Sequence, residues 1–428
     1  MDNRQGFRYA GDLDLQLIEI SSLITKKKYD VYNLFTEINI YENIFTNTIS
    51  GTITINDSFD MISNAPFVGE EILHVIYKTP SMDDSDGLVD KTFRIYKISD
   101  RILNAEKAYM YIISFMSIEA FTDLFVKLGR AYTGQLSEIV RKLFTEQDSL
   151  SGDINNIEIE PTKNAFKFVA PNWSPLKCIN WVSPRSISSV SNSPDYVFYE
   201  DMKKFNFKSI SSLIAQDSYI KYYFNDIDPS AINNNARLNE LGISADLIVR
   251  EFVNDKVFDI ADRMLHGFYS SKLVEFDILS KKVNIKTFDY FDNFDKTTHL
   301  CKYPINSTDF LRNPRTSTVY YPSQYYMHDE FGTDDPMSWV LERKSLMQQI
   351  EAYSVDITVP GRSDIFVGKT IDFEYNTIQF YESAEDAKET VYSGKYLITS
   401  INHRISRQEY ELVMTLSKDS ISQQLVVE

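Results

Sequence analysis

The stretch GKYLITSINHRISRQEYELVMTL (Gly394 to Leu416) predicts two β-strands joined by a short turn. Apolar and polar residues alternate in both arms, with the period of two that is typical of half-buried strands. The same arrangement occurs early in the chain, where KTFRIYKI (Lys91 to Ile98) is followed by a turn and by AYMYIISF (Ala108 to Phe115). These two parts of the sequence indicate an internal duplication.

The duplication extends upstream of both hairpins. Four further segments match in the same order: GTITIND (Gly51 to Asp57) and VGEEILHVIY (Val68 to Tyr77) in the early copy, YSVDITVP (Tyr353 to Pro360) and VGKTIDFEY (Val367 to Tyr375) in the late copy. Gly69 and Gly368 occupy the same place in the two copies, and glycine tolerates the left-handed backbone of a tight turn. Chance similarity is the alternative, because strand patterns are weak signals. The repeat predicts two similar antiparallel β-barrels.

The sequence outside the two copies has a different character. Ser174-Pro175 and Asp335-Pro336 each predict a helix start, because a capping residue precedes a proline. The predicted fold class is α+β, mainly β, with two similar β-barrels and α/β middle domains. The predicted domains are residues 12–125 (first barrel), 126–242 (middle α+β domain), 243–335 (a β-rich region that contributes strands to the second barrel) and 336–420 (connecting helix and second barrel).

Composition excludes several classes of protein. The 44 Lys and Arg against 61 Asp and Glu give a net charge of −17, which argues against a surface that grips nucleic-acid phosphates. Two cysteines in 428 residues provide no disulfide framework and indicate a reducing compartment. Neither a signal peptide nor an apolar run of membrane-spanning length is present, so we expect no membrane insertion.

The sequence contains few candidates for catalytic residues. The 5 histidines are scattered without metal-ligand spacing, and no nucleophile-elbow, dinucleotide or P-loop motif occurs, so we predict no metal, no cofactor and no catalytic residue. The acidic segments 82–93 and 382–389 are expected to be solvated loops, with ion binding or partner contact as the alternative. The aromatic residues between Tyr196 and Phe207 are of a kind that stacks on sugars, but such alternation more often indicates core packing.

Three segments together resemble a known family. They are NWSPLKCINWVS (Asn172 to Ser183), DYVFYEDMKKFNFKSISSL (Asp195 to Leu213) and the C-terminal hairpin quoted first. The pattern resembles the baseplate central hub proteins of contractile-tailed bacteriophages, which are related in fold to the N-terminal part of type VI secretion spike proteins. Many relatives have glycine where this chain has Lys204, so the resemblance does not predict the type of turn at that position.

This resemblance implies a ring-shaped homotrimer whose duplicated, tail-tube-like barrels give pseudo-six-fold symmetry. Such a hub joins the hexameric tail tube protein to the trimeric, cell-puncturing spike protein, contacts other baseplate proteins, and lets DNA pass through its lumen without specific binding. It works in the tail baseplate of the virion after assembly in the host cytoplasm. The structural and interface candidates that follow are Gly69 and Gly368 in the barrels and Trp181, Phe198, Tyr199, Phe205 and Phe207 in the middle domains.

Two alternatives stay open. A glycan-binding or cell-wall-degrading tail enzyme is consistent with the acidic loops and the many tyrosines. A secretion-system spike component would share the barrels, but a spike fusion is expected to continue into a glycine-rich needle, whereas this sequence ends at Glu428. That end point favours a separate hub.

Overall fold

The fold is described from a computed structural model. It covers residues 10–23, 26–64, 67–80, 82–103, 108–224, 244–256, 259–277, 280–306, 312–322, 335–375 and 391–423. The polar segment 225–242 and the acidic segment 382–389 lie outside these residues. The described part is mainly β with several helices, as the sequence predicted.

The described residues between 10 and 125 form mostly antiparallel strands. The strands are β1 (Asp14–Ser22), β2 (Lys28–Asp30), β3 (Phe35–Asn43), β4 (Ser50–Asp57), β5 (Glu71–Lys78), β6 (Val89–Leu103) and β7 (Tyr109–Ser117), and the helices are α1 (Met61–Asn64), α2 (Asp84–Gly87) and α3 (Ile118–Phe125). Buried and less buried residues alternate along β4 and β5, so one face of each strand points into the core.

The middle of the chain mixes short strands and helices. Its elements are β8 (Ala131–Gln135), α4 (Leu136–Thr145), β9 (Ile157–Ile159), β10 (Ala165–Val169), α5 (Pro175–Val182), β11 (Tyr196–Glu200), β12 (Phe205–Ser209), α6 (Ile210–Ile214) and β13 (Ile220–Phe224). Helix α5 begins at Pro175, as predicted. Helix α6 begins after Ser209, whose side chain accepts a hydrogen bond from the Ser212 amide and so caps the helix.

The remaining elements lead into the second copy of the duplicated pattern. They are β14 (Glu251–Lys256), α7 (Ile260–His266), β15 (Ser270–Asp277), β16 (Lys282–Asp289), α8 (Tyr290–Asn293), β17 (Tyr303–Pro304), β18 (Thr318–Pro322), α9 (Pro336–Ile350), β19 (Tyr353–Pro360), β20 (Thr370–Tyr375), β21 (Gly394–Ser406), β22 (Tyr410–Lys418) and β23 (Ser420–Ile421). The Asp335 side chain caps α9 at the Met337 amide, which explains why this helix starts where the sequence predicted.

The two halves of the main sheet have the same strand order. The first half runs β3-β4-β7-β6-β5-β1, and the second runs β14-β19-β22-β21-β20-β13. A register shift follows Ile95 in β6 and Ile398 in β21, at corresponding places. The halves differ in one strand direction, because β1 is antiparallel to β5 whereas β13 is parallel to β20.

The strands do not form two closed barrels within the described residues. Each half comes near to closure where the chain just before its first strand meets its last strand. In the first half β2 pairs with β1 and the Val31 amide bonds to the Ile18 carbonyl (3.1 Å); in the second the Val249 amide bonds to the Tyr223 carbonyl (2.9 Å). Because β21 pairs with β3, the two halves merge into one continuous 13-stranded sheet. Sequence periodicity reports only local structure and gave no sign of this pairing.

Three hydrophobic cores lie within the described residues. The largest contains residues of both halves of the sheet, such as Ile53 and Ile357. The second lies in the middle region around Phe144 and Ile179, and the third is a smaller aromatic cluster around Tyr290.

Candidate assembly interface

The junction between the two halves depends on a strand that changes partners. Strand β21 pairs through Gly394–Leu397 with β20 and through Ser400–Ser406 with β3. The change takes place at Thr399, whose carbonyl accepts the Ile44 amide at 3.0 Å. One strand therefore belongs to both halves.

A buried polar cluster lies at this junction. The Glu42 carboxylate on β3 is 2.9 Å from Nε2 of His403 on β21, and His403 Nδ1 is 2.7 Å from the Tyr410 hydroxyl. The other oxygen of Glu42 accepts the Val367 amide at 3.0 Å. Glu42 and His403 are at most 1% exposed, and buried polar groups are costly unless they are hydrogen-bonded. The cluster therefore specifies how one half sits on the other.

The two matched glycines have the same backbone but different surroundings. Gly69 has φ +89° and Gly368 has φ +83°, the left-handed conformation that their sequence positions predicted. A Cβ on Gly69 would meet open space, whereas a Cβ on Gly368 would lie 2.3 Å from the Tyr199 hydroxyl oxygen. Gly368 therefore permits close contact with the middle region, and Gly69 satisfies only a backbone requirement.

Strand β11 joins two cores because its successive side chains point to opposite faces. Tyr196 and Phe198 belong to the core of the middle region, whereas Val197 and Tyr199 belong to the core of the main sheet. All five of its residues are buried. This strand therefore ties the middle region to the sheet.

A buried ion pair strengthens the same attachment. Glu200, at the end of β11, accepts hydrogen bonds from the Lys91 ammonium at 2.8 Å, from the Ile49 amide at 3.0 Å and from the Ser117 hydroxyl. Burial lowers the pKa of Lys91, but the adjacent Glu200 carboxylate outweighs that effect and raises it above the ordinary value. The Lys91 ammonium is therefore charged at neutral pH.

The predicted aromatic residues are scaffold. Phe198 and Phe205 stack with ring centroids 5.8 Å apart, and Phe207 contacts Tyr196 at 4.6 Å. Trp181 stacks on Phe168 at 4.8 Å and carries the Arg185 guanidinium 3.9 Å from its ring centroid. These faces are occupied by neighbours, so the group presents no platform for a sugar. Tyr199 lies apart from them, on the other face of β11.

A charged cluster that the sequence did not reveal links three distant segments. The Arg362 guanidinium binds Asp246 at 2.7 Å and Asp364 at 3.0 Å, and the Tyr219 hydroxyl donates to Asp364 at 2.7 Å. Lys369 lies 3.4 Å from the Tyr219 ring centroid, and burial lowers its pKa to about 8. Only the local Arg-Ser-Asp run next to Val367-Gly368 hinted at this cluster, since Asp246 is far away in the sequence.

The four histidines within the described residues have carboxylate neighbours. His74 contacts Asp90, His266 contacts Asp262, His299 contacts Asp419 and His403 contacts Glu42; His328 lies outside the described ranges. No group of three or more metal-ligating side chains occurs in the part of the chain that the structure describes. The acidic segment 82–93 was expected to be a loop, but it contains α2 and the start of β6, and Asp84 on α2 pairs with Lys78 at 2.5 Å. None of the described helices has the length and apolarity to cross a membrane.

Comparison with known proteins supports the predicted resemblance. No protein-family model matches the chain. A probable baseplate hub protein of the Vibrio phage KVP40 is 22% identical over 400 residues, which covers 91% of both chains.

Two solved structures share the fold. The 43 kDa tail protein of prophage MuSo2 from Shewanella oneidensis superimposes with a TM-score of 0.55 at 9% identity, over 95% of this chain and 99% of its own. A tail protein from Neisseria meningitidis MC58 gives 0.53 at 10% identity, over 94% and 96%. The resemblance to phage baseplate hub proteins that the sequence predicted is therefore confirmed, and the fold is that of tail proteins.

Proposed function

We propose that this protein is the structural hub of a contractile-tail baseplate. In this role three copies form a pseudo-six-fold ring that joins the hexameric tail tube to the trimeric spike and contacts other baseplate proteins. The ring acts in the virion tail after assembly in the host cytoplasm, without cofactor or catalytic activity. Similarity to a phage hub protein over nearly the whole chain supports this assignment.

The observation that carries the proposal is the repeated strand order. Two halves with the same order of six strands in each chain give six similar units in a trimer. A ring of this kind matches six-fold symmetry on one face and three-fold symmetry on the other. A single copy of the pattern would offer no such match.

The acidic composition fits a lumen through which DNA passes. The net charge of −17 on each chain repels phosphates where it lines the bore, which limits adhesion during ejection. We expect no measurable binding of duplex DNA at 150 mM salt in a fluorescence anisotropy titration. Binding that falls steeply with added salt would indicate a basic lumen and contradict this part of the proposal.

Electron microscopy of the purified protein, alone and with the spike protein of the same phage, tests the assembly. We expect a three-fold ring with six similar lobes and an open centre. Monomers under both conditions would contradict the hub assignment. Turnover of purified peptidoglycan by the protein alone would instead support the cell-wall-degrading alternative.

A further inference from the structure

The pairing of β21 with β3 shows how one half of the sheet holds the next. One edge of β21 pairs with β22 along most of its length. The other edge pairs first with β20, through Gly394–Leu397, and then with β3, through Ser400–Ser406. The C-terminal part of β21 is therefore the docking edge for the neighbouring half.

Strand β6 is the counterpart of β21 in the first half. One of its edges pairs with β7, and the other pairs with β5 only through Val89–Arg94. Beyond Arg94 this second edge has no strand partner among the described residues. Large apolar side chains are exposed along this open part: Tyr96 is 46%, Ile102 56% and Leu103 57% exposed. An open, apolar strand edge is a template for pairing with another chain.

Strand β14 is the counterpart of β3 in the second half. It pairs with β19 as β3 pairs with β4, and Val249, just before it, bonds to β13 as Val31 bonds to β1. The outer edge of β3 is covered by β21. The outer edge of β14 has no strand partner within the described ranges, and Val253 on this strand is 57% exposed.

We infer that the open edge of β6 in one copy of this chain pairs with the open edge of β14 in the next copy. The inference extends the β21–β3 junction from one molecule to the contact between molecules. It rests on the proposed ring of three chains and specifies the surface through which neighbouring chains contact each other. Each chain carries one edge of each kind, so the contact is heterologous and generates a ring when the rotation closes.

The internal junction also predicts the register of this contact. In the junction Arg404 faces Asn39, and the buried Ile405 faces the buried Ile38. The β6–β7 ladder has one register shift more than β21–β22, between Ser99 and Ile102, and the register is therefore transferred through the pairs beyond it. Through these pairs and the β14–β19 ladder, Ile102 lies opposite Val253 and Leu103 opposite Phe252. Leu103 and Phe252 then occupy the inward-facing positions that Ile405 and Ile38 fill in the internal junction.

Disulfide trapping tests this register. Directly opposed residues of antiparallel strands have Cα atoms about 4.5–5.5 Å apart, which suits a disulfide. The variant carries Ile102→Cys and Val253→Cys. Cys301 is replaced by Ser because it is partly exposed, whereas Cys178 is buried and is retained. We expect mild oxidation to give a covalent trimer on a denaturing gel, and an equal mixture of the two single-cysteine variants to give only covalent dimers.

A matched control combines Ile102→Cys with Val283→Cys, because Val283 is equally accessible, at 61%, but lies on β16. It should give no cross-link above background. Light scattering on the same samples separates the two proposals. A trimer by mass that fails to cross-link through residues 102 and 253 overturns the strand pairing and leaves the hub assignment intact. A monomer by mass, alone and with the spike, overturns both.

A second variant tests the surface without a disulfide. Ile102→Lys together with Leu103→Lys places charge on the β6 edge, and charged residues are the usual protection of open strand edges. We expect the trimer to dissociate at least 10-fold more readily, with an unchanged circular dichroism spectrum. Val283→Lys should leave association unchanged, and undiminished association of the double-lysine variant would contradict the inferred contact.

Discussion

The two halves of the sheet share a strand order but differ in what covers them. In the second half the Val367 amide bonds to Glu42, Gly368 lies against Tyr199, and β21 pairs with β3. At the equivalent places the first half has the side chain of its own Glu71 bound to the Val68 and Gly69 amides, open space at Gly69, and a bare β6 edge. Matched positions in a duplicated fold can therefore contribute different amounts to the free energy of unfolding.

The largest expected difference is at the internal junction. Glu42→Ala removes the hydrogen-bond partner of the buried His403 and of the Val367 amide, and each buried polar group left without a partner costs about 1–3 kcal/mol. We expect a clear fall in the free energy of unfolding, measured with urea. Arg404→Ala on the exposed face of β21 is the control and should cost less than about 1 kcal/mol. Equal effects of the two substitutions would mean that the cluster does not hold the junction.

The glycine pair gives a direct comparison of the two halves. Gly368→Ala adds a clash with the Tyr199 hydroxyl to the backbone strain and should cost about 2–4 kcal/mol. Gly69→Ala carries the backbone strain alone and should cost roughly 1–2 kcal/mol. Thermal unfolding of the two variants checks the order. A Gly69 variant that is as unstable as the Gly368 variant would show that the surroundings of the glycine do not matter.

Lys369 predicts a dependence of stability on pH that arises in the second half. Its pKa in the folded protein is lowered from 10.5 to about 8 by burial, so between these values the unfolded chain binds more protons than the folded one. Stability due to this group therefore rises as the pH increases from 8 to 10. Lys369→Met should reduce the rise, measured by urea unfolding at several pH values. Lys418, whose pKa burial also lowers to about 8, should contribute in the same direction.

Lys127→Met is the control for the pH experiment, because Lys127 is exposed. It should leave the pH dependence as it is in the unmodified protein. The same change in stability between pH 8 and 10 in the unmodified protein, in Lys369→Met and in Lys127→Met would contradict the assigned role of Lys369.

The smallest effect is expected at the bare edge of the first half. Ile102→Lys alters a side chain that is 56% exposed, and exposed substitutions usually change stability by less than about 0.5 kcal/mol. Unfolding measured at a concentration at which the protein is monomeric should therefore match that of the unmodified chain. A loss of several kcal/mol would show that the β6 edge supports the fold of the single chain.

Much of the fold was predictable because its signals are local. Alternation located strands such as β4, β5 and β19, and Pro175 and Pro336 marked helix starts. Alternation also identified Phe198 and Phe205 as core residues, although the sequence did not reveal that β11 serves two cores at once.

The remainder depends on contacts between distant residues. Two similar antiparallel barrels were predicted from the repeat. The pairing of β21 with β3 spans more than 350 residues, and no local pattern encodes that choice of partner. Glu42 and His403 are separated by 361 positions, so His403 appeared to be an isolated histidine. Strand β14 joins the second half from the region 243–335 that was expected to supply strands, whereas β13 joins it from the predicted middle domain, which no local pattern indicated.

The β21–β3 pairing also sets an order of events during synthesis. Strand β3 ends at Asn43 and its partner begins at Gly394, so at 5–20 residues per second the ribosome needs roughly 20–70 s to deliver that partner. Throughout this interval the edge of β3 that pairs with β21 has no partner strand from its own chain. A completed β21 from a neighbouring chain on the same messenger can reach it first and give a domain-swapped product. We therefore expect closer spacing between translating ribosomes to increase the amount of domain-swapped product.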